Sequence, residues 1–186
     1  MTDQATVTEL AHIVVRSLAA GKAVEIDGLG MFYPDPLLGC RFEPRVQVFI
    51  AYVHEDRSIA ERLYDSLYAA GFSPWMDVRK LVPGQNWPRA IESAIETSDF
   101  FVACFSEFSV TKKGGFQAEI RYALDCARQL PLDQIFVVPV RVNGCRVPRS
   151  IQKDIQYVDL FPDWDHGIER VVSMMQREMR RRRTRG

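Results

Sequence analysis

The stretch KKGGFQAEIRYALD, residues 112–125, sets one glutamate, Glu119, in the opening turns of a segment whose apolar residues otherwise repeat at helical spacing. Phe116, Ile120, Ala123, Leu124 and Ala127 would form the buried stripe of that helix. At about 100° per residue, Glu119 stands roughly 80° from the stripe's centre, on its margin. A carboxylate there, close to a helix N-terminus, can stay ionised in the helix dipole while reaching into a crevice; an ordinary surface glutamate occupies the same kind of position. Three other residues carry comparable potential. Asp56 follows the apolar run VQVFIAY and suits either a ligand contact or, preferably, the N-cap of the next helix. Asp77, closing SPWMD, reads equally as a loop-stabilising carboxylate or a ligand contact, and Trp87 as core or ligand wall.

The elements that must position these residues are legible as runs. VQVFIAY (46–52), SPWMD (73–77), DFFVACFS (99–106), IFVVPVRV (135–142) and QYVDL (156–160) are short apolar or β-branched runs bounded by turn residues, as buried strands are. Between them lie amphipathic segments at 56–70, with Ile59, Leu63, Leu67 and Ala70 in register, at 88–97, opened by Pro88, and at 115–129. Strand and helix alternate, which calls for a parallel sheet with helices on both faces, because parallel neighbours need long right-handed crossovers. In open sheets of this kind ligands sit beyond the carboxyl ends of the strands. Val53 to Asp56, the loop at 77–87 and the loop from Ser106 to Gly115 are thereby expected to face one crevice.

Several chemistries fail on the residues. The GLG at 28–30 lacks the third glycine of a dinucleotide fingerprint, with Tyr33 in its place, and no GxxxxGK[ST] phosphate loop occurs. A phospho-accepting receiver needs an aspartate where this chain has Ser106. Cys40, Cys104, Cys126 and Cys145 have neither zinc nor disulfide-framework spacing, so no metal is expected and a reducing cytoplasm is the expected setting. Cys104 reads as strand core with no histidine placed to activate it, and His12, His54 and His166 as ordinary polar residues. With 24 basic and 24 acidic residues in 186, no global charge advertises nucleic acid or a membrane, and no segment reads as a signal peptide or a membrane span.

The phrases VFIAYVHED, GFSPWMDVRKLVPGQNWPRAIESAIETSDFFVACFS, SVTKKGGFQAEIRYALD, IFVVPVRVNGCRVP and YVDLFPD, in this order over about residues 46 to 176, together resemble a bacterial Toll/interleukin-1 receptor-like (TIR) domain. The resemblance implies a five-stranded parallel sheet of flavodoxin-like topology. It further implies cleavage of NAD⁺ at the nicotinamide–ribose bond, giving ADP-ribose or a cyclic or conjugated ADP-ribose signal, often in anti-phage defence. NAD⁺ enters as substrate and no cofactor is implied. The family's catalytic glutamate falls on Glu119; Tyr52, Ala51, Asp77, Trp87, Phe116 and Ser106 are the expected substrate-binding residues. Gly115 stands where the family often has an aromatic ring, with Phe116 or Trp87 as the substitute, and Ala51 stands where it often has serine. Leu81, Pro83 and Gly84 resemble the loop that mediates TIR–TIR contacts, which implies self-association, and a product signal implies a downstream effector protein. The alternative function is a non-catalytic adaptor acting through TIR–TIR contact alone.

Around this domain, expected at 45–176, two pieces remain. Residues 1–44 read as an α+β appendage: an amphipathic helix ended by Gly21, then a strand, a glycine-containing turn and another short strand. It resembles a fragment of an HU/IHF-type DNA-binding domain, but PDPLLGC stands where the basic arm would be, so oligomerisation or a structural cap is expected rather than DNA bending. The run Arg177, Arg180, Arg181, Arg182, Arg183 and Arg185 is expected as a solvated helix end and frayed tail over 177–186, with nucleic acid not its expected partner.

Overall fold

The computed structural model describes residues 4–26, 29–80, 84 and 86–184. The chain divides into two compact units, Met1–Arg45 and Val46–Gly186. In the first, α1 (Gln4–Ala19) is followed by three antiparallel strands, β1 (Val24–Ile26), β2 (Gly30–Asp35) and β3 (Gly39–Pro44), in the order β1-β2-β3. The third strand goes beyond the expected strand–turn–strand. It arises because Asp35 Oδ1 accepts from the amides of Leu37 and Leu38, both at 2.9 Å, and folds PDPLLG into a hairpin turn. Gly30 is required where β2 meets β3: a Cβ there would stand 2.3 Å from the carbonyl oxygen of Glu43.

The second unit is built as β4 (Gln47–Ala51), α2 (Arg57–Ala69), β5 (Ser73–Trp75), α3 (Asp77–Lys80), α4 (Trp87–Glu96), β6 (Phe100–Phe105), α5 (Glu107–Thr111), α6 (Gly115–Arg128), β7 (Val137–Arg141), α7 (Arg149–Gln152), β8 (Val158–Asp159) and α8 (Trp164–Arg183). Its five strands are parallel in the order β5-β4-β6-β7-β8. This is the parallel sheet that the alternation of runs calls for, with the flavodoxin-like strand order that the family resemblance implies. Because side chains alternate across a strand, β4 sends Val48 and Ile50 to one core and Phe49 and Ala51 to the other. The first core is closed by Leu63 and Leu67 of α2 and by Val171 and Met175 of α8; the second by Ile95 of α4 and by Phe116, Ile120 and Ala123 of α6. Among the described residues no helix is long and apolar enough to cross a membrane.

The basic run is a helix end, as expected, but it continues as the last turns of α8 to Arg183 and is not fully solvated. Glu178 is 3% exposed and accepts from Arg181 Nε at 2.9 Å, Arg182 Nε at 3.1 Å and the Ile135 amide at 3.3 Å. Arg182 also donates to the carbonyls of Ile135 and Asp99 and covers the ring of Phe100, and Arg181 reaches Asp133. Two of the arginines are therefore pinned to the ends of the sheet, and the folded unit extends past the boundary expected at 176.

Candidate functional site

Three loops leave the carboxyl edge of the sheet beside one another. After β4 the chain passes through a short 3-10 turn, His54–Asp56, before α2. At φ −97° and ψ 10°, Asp56 lacks the extended backbone of a capping residue and makes no cap bond, which corrects the preferred cap reading. Its buried carboxylate instead accepts from the hydroxyl of Ser106, at the end of β6. Burial pushes the Asp56 carboxyl above its ordinary range, against that hydrogen bond. Lys112 bonds both carboxylate oxygens of Glu55, at 2.7 and 2.8 Å, tying the loop after β6 to the loop after β4.

Three residues expected at the substrate support the site from beneath. Ser106 has no exposed surface, and its Oγ accepts from the amides of Phe108 and Ser109, both at 3.1 Å, to start α5. Ala51 is buried in the second core, so the side chain at this position makes no opening to the crevice. Phe116 is 6% exposed and packs edge-on against Phe105, centroids 5.7 Å apart, so it is core and does not stand in for a ring at Gly115. The three corrections share a cause. Each residue lies at the end of a strand or the start of a helix beside the crevice in sequence, and its side chain turns to the core or to the cap of α5. Ser106→Ala is expected to destabilise the domain by about 1–3 kcal/mol, because it strands the buried Asp56 carboxylate. A urea midpoint equal to that of the parent protein would contradict this supporting role.

The residues that do line an opening are Trp87, Pro88, Ile91, Glu92 and Ile95 on α4, and Gly115, Ala118, Glu119, Arg121, Tyr122 and Asp125 on α6, around a groove of about 720 Å³. Asn86 caps α4, accepting from the Arg89 amide at 3.3 Å, and so fixes the start of the helix and the place of Trp87, which is 57% exposed at the head of the groove. Tyr122 donates to Glu96 and links the two walls. Gly114, at φ 131°, makes the turn into α6 that a Cβ would strain. A Cβ on Gly115 would stand 3.8 Å from Glu119 Oε1, so the missing side chain leaves that face of the carboxylate uncovered. Glu119 itself is half-buried. Burial, and then the negative charge of Asp77, push its carboxyl up to about 7.

Tyr52 and Asp77 are brought together: the phenol donates to Asp77 Oδ1 at 2.6 Å, and the same oxygen accepts from the Val78 amide at 2.7 Å. Burial, and then Asp77, raise the phenol's pKa, so Tyr52 remains a neutral donor. Leu81 and Pro83 lie outside the described residues; Gly84, between them and α4, is exposed with φ 90°. Sequence reading missed the groove walls at Ile91 and Tyr122. Their signal was present, since Ile91 lies four residues after Trp87 and Tyr122 three after Glu119, each on the same helical face as its partner.

Fold and site together define an open α/β domain with a groove between α4 and α6, the helices that follow β5 and β6. Residues 48–172 match the TIR domain family, and the chain belongs to that family. The uncharacterised protein y4cD of Sinorhizobium fredii (strain NBRC 101917 / NGR234) is 29% identical over 116 residues, covering 62% of this chain and 18% of y4cD. The chain thus spans less than a fifth of that curated relative. Among solved structures, the TIR domain of the Toll-related receptor TRR-2 from Hydra magnipapillata superposes with a TM-score of 0.54 at 21% identity, over 68% of this chain and 97% of that one. The TIR domains of the activated Roq1 resistosome, which directly recognises the pathogen effector XopQ, give 0.54 at 16% identity, over 72% and 99%. At these identities the likeness is one of fold.

Proposed function

We propose that this TIR domain cleaves NAD⁺ at the nicotinamide–ribose bond, with Glu119 as the catalytic residue. The observation that supports it best is a half-buried carboxylate on the wall of a groove that also presents an exposed tryptophan. The nicotinamide of NAD⁺ is a cationic pyridinium that departs as a neutral base, so its departure needs no general acid, in contrast to an ordinary glycoside. As the bond breaks, the ribose becomes oxocarbenium-like. A fixed carboxylate that accepts from the ribose hydroxyls is complementary to that charge and can be worth on the order of 3 kcal/mol. In this reading Trp87 stacks on a base, Tyr52 and Asp77 hold the ribose side, and the freed ADP-ribosyl group passes to water, to its own adenine or to another acceptor. Anti-phage signalling through a separate product-sensing effector is the role we assign on the family resemblance. The test is to incubate the purified chain with NAD⁺ at high protein concentration and resolve the products by mass spectrometry. Nicotinamide with ADP-ribose or an isomeric product is expected; NAD⁺ recovered intact would overturn the reading.

A groove open to solvent excludes water poorly, and exclusion strengthens a fixed carboxylate. We therefore assign its closure to a second copy, docking through the loop that contains Gly84. Turnover per chain is expected to rise with protein concentration. Gly84→Pro, which cannot adopt φ 90°, should lower activity several-fold without unfolding the domain. Specific activity that stays flat over a hundredfold dilution of a monomeric sample would remove the assembly step and leave the chemistry.

A further inference from the structure

The first unit, Met1–Arg45, carries more apolar surface than it covers. Its helix α1 packs against β1 and β2, yet among the described side chains of this unit Val14 is the only apolar one that is buried. Leu10 is 46% exposed and Ile13 54%. Units of this size seldom stand on their own core and are commonly held by disulfides, a metal or association. Cys40 is the unit's one cysteine, so no disulfide closes within it, and its described residues gather no metal-binding set. The exposed side of α1 is also patterned. Glu9, Leu10, Ile13 and Arg16 fall within about 120° of the helix, and Glu9 and Arg16 stand about 10 Å apart along its axis, on either side of a point between His12 and Ile13. Both charged residues are exposed, and among the described residues neither side chain has an ion pair or a hydrogen bond. Such a stripe is self-complementary: against a copy turned end for end, Glu9 meets Arg16 of the second copy, twice, with the two Ile13 side chains between.

We propose that α1 is an interface with a second copy of this chain: two α1 helices pack antiparallel about a two-fold axis near their middles, with Leu10 and Ile13 in the contact and a Glu9–Arg16 pair at each end. Apolar burial drives the pairing. The charges select its direction, because a parallel pair would set Glu9 against Glu9 and Arg16 against Arg16. One helix pair buries less than a permanent interface does, so the affinity falls in the micromolar range. Only Arg45 and Val46 separate β3 from β4, so the pair holds two TIR units on short tethers and raises their effective concentration. That consequence bears on the closure of the groove proposed above; the pairing itself is independent of the NAD⁺ chemistry.

The test is sedimentation velocity on the full chain across a hundredfold range of concentration, with circular dichroism to show that each variant is folded. The parent is expected to pass from monomer to dimer. Ile13→Asp, which puts two like charges at the centre of the contact, should weaken the dimer about tenfold or more. Glu9→Arg and Arg16→Glu should each weaken it several-fold, because each sets like charges opposite one another. The double variant Glu9→Arg/Arg16→Glu has the net charge of the parent and should dimerise within about twofold as well, since the exchange restores both pairs. A parent that stays monomeric throughout, as it would if the rest of its own chain covered α1, overturns the proposal. So does a dimer that Ile13→Asp leaves unweakened, or a double variant no better than the single ones. Nicotinamide release read on the same samples keeps the two readings apart: a dimer that responds as expected in a protein that leaves NAD⁺ intact retains the interface and removes the reaction, and a monomeric parent that cleaves NAD⁺ does the reverse.

Discussion

Glu119→Gln is expected to slow nicotinamide release from NAD⁺ by a factor on the order of 10² or more while making the folded domain more stable above pH 7. Glutamine keeps the shape of the side chain and its place on the margin of α6, but carries no charge to match the developing oxocarbenium ion. The stability change has a definite sign. Burial, then Asp77, raise the folded-state pKa of Glu119 to about 7, well above that of the unfolded chain. Below the unfolded value both states hold the proton and the glutamate costs nothing. As pH rises toward 7 the unfolded chain ionises first, so stability falls, and the loss levels off above 7. Glutamine escapes it, with a gain of about 2 kcal/mol after allowance for solvent at the groove mouth, or a Tm higher by several degrees at pH 8 and little changed at pH 4. The same titration makes kcat/KM rise with pH through about 7 in the parent protein. A Tm difference between the two proteins that does not change with pH would show that Glu119 is not the strained carboxylate described.

Deleting residues 177–186 is expected to destabilise the second unit by at least about 3–5 kcal/mol, enough to unfold much of it at 37 °C. The deletion removes the last two turns of α8, the Met179 side chain packed against the first core, and the network of Glu178, Arg181 and Arg182. Burial works against the charge of Glu178, and hydrogen bonds from Arg181, Arg182 and the Ile135 amide together outweigh it, leaving the carboxyl below its ordinary pKa. Removing one partner is the damaging change in such a cluster. Arg182→Ala also strips a donor from the carbonyls of Asp99 and Ile135, at the entries to β6 and β7. Urea denaturation followed by circular dichroism checks both variants. A truncated chain with the parent midpoint would return the run to the status of a tail.

These two regions mark where sequence reading succeeds and where it stops. The five strands are legible because each is an apolar run too short for a helix, and the helix around Glu119 because Phe116, Ile120 and Ala123 repeat at its period. Glu119 is legible as an exception to that stripe. The arginine run misleads because composition records charge but not partners: Glu178 pairs with Arg181 and Arg182 along α8, but Asp133 and Asp99 come from separate segments and meet them only in the folded domain. Asp56 misleads for a similar reason, since the backbone angles of a 3-10 turn decide whether it caps α2 or turns to Ser106. Ser106, Ala51 and Phe116 are chosen by adjacency to the crevice in sequence, whereas exposure depends on the face each one takes. The Tyr52–Asp77 bond spans 25 residues and two strands, and no local pattern announces it.

In the proposed reaction a single carboxylate, Glu119, turns this groove into a catalyst for NAD⁺. Nicotinamide release should be followed with parent protein and Glu119→Gln at equal, high concentration and pH 8, after both are shown to be folded. Steady release by the parent and about one hundredth of it or less by the variant are expected; equal rates, or no release by either, would overturn the assignment of Glu119.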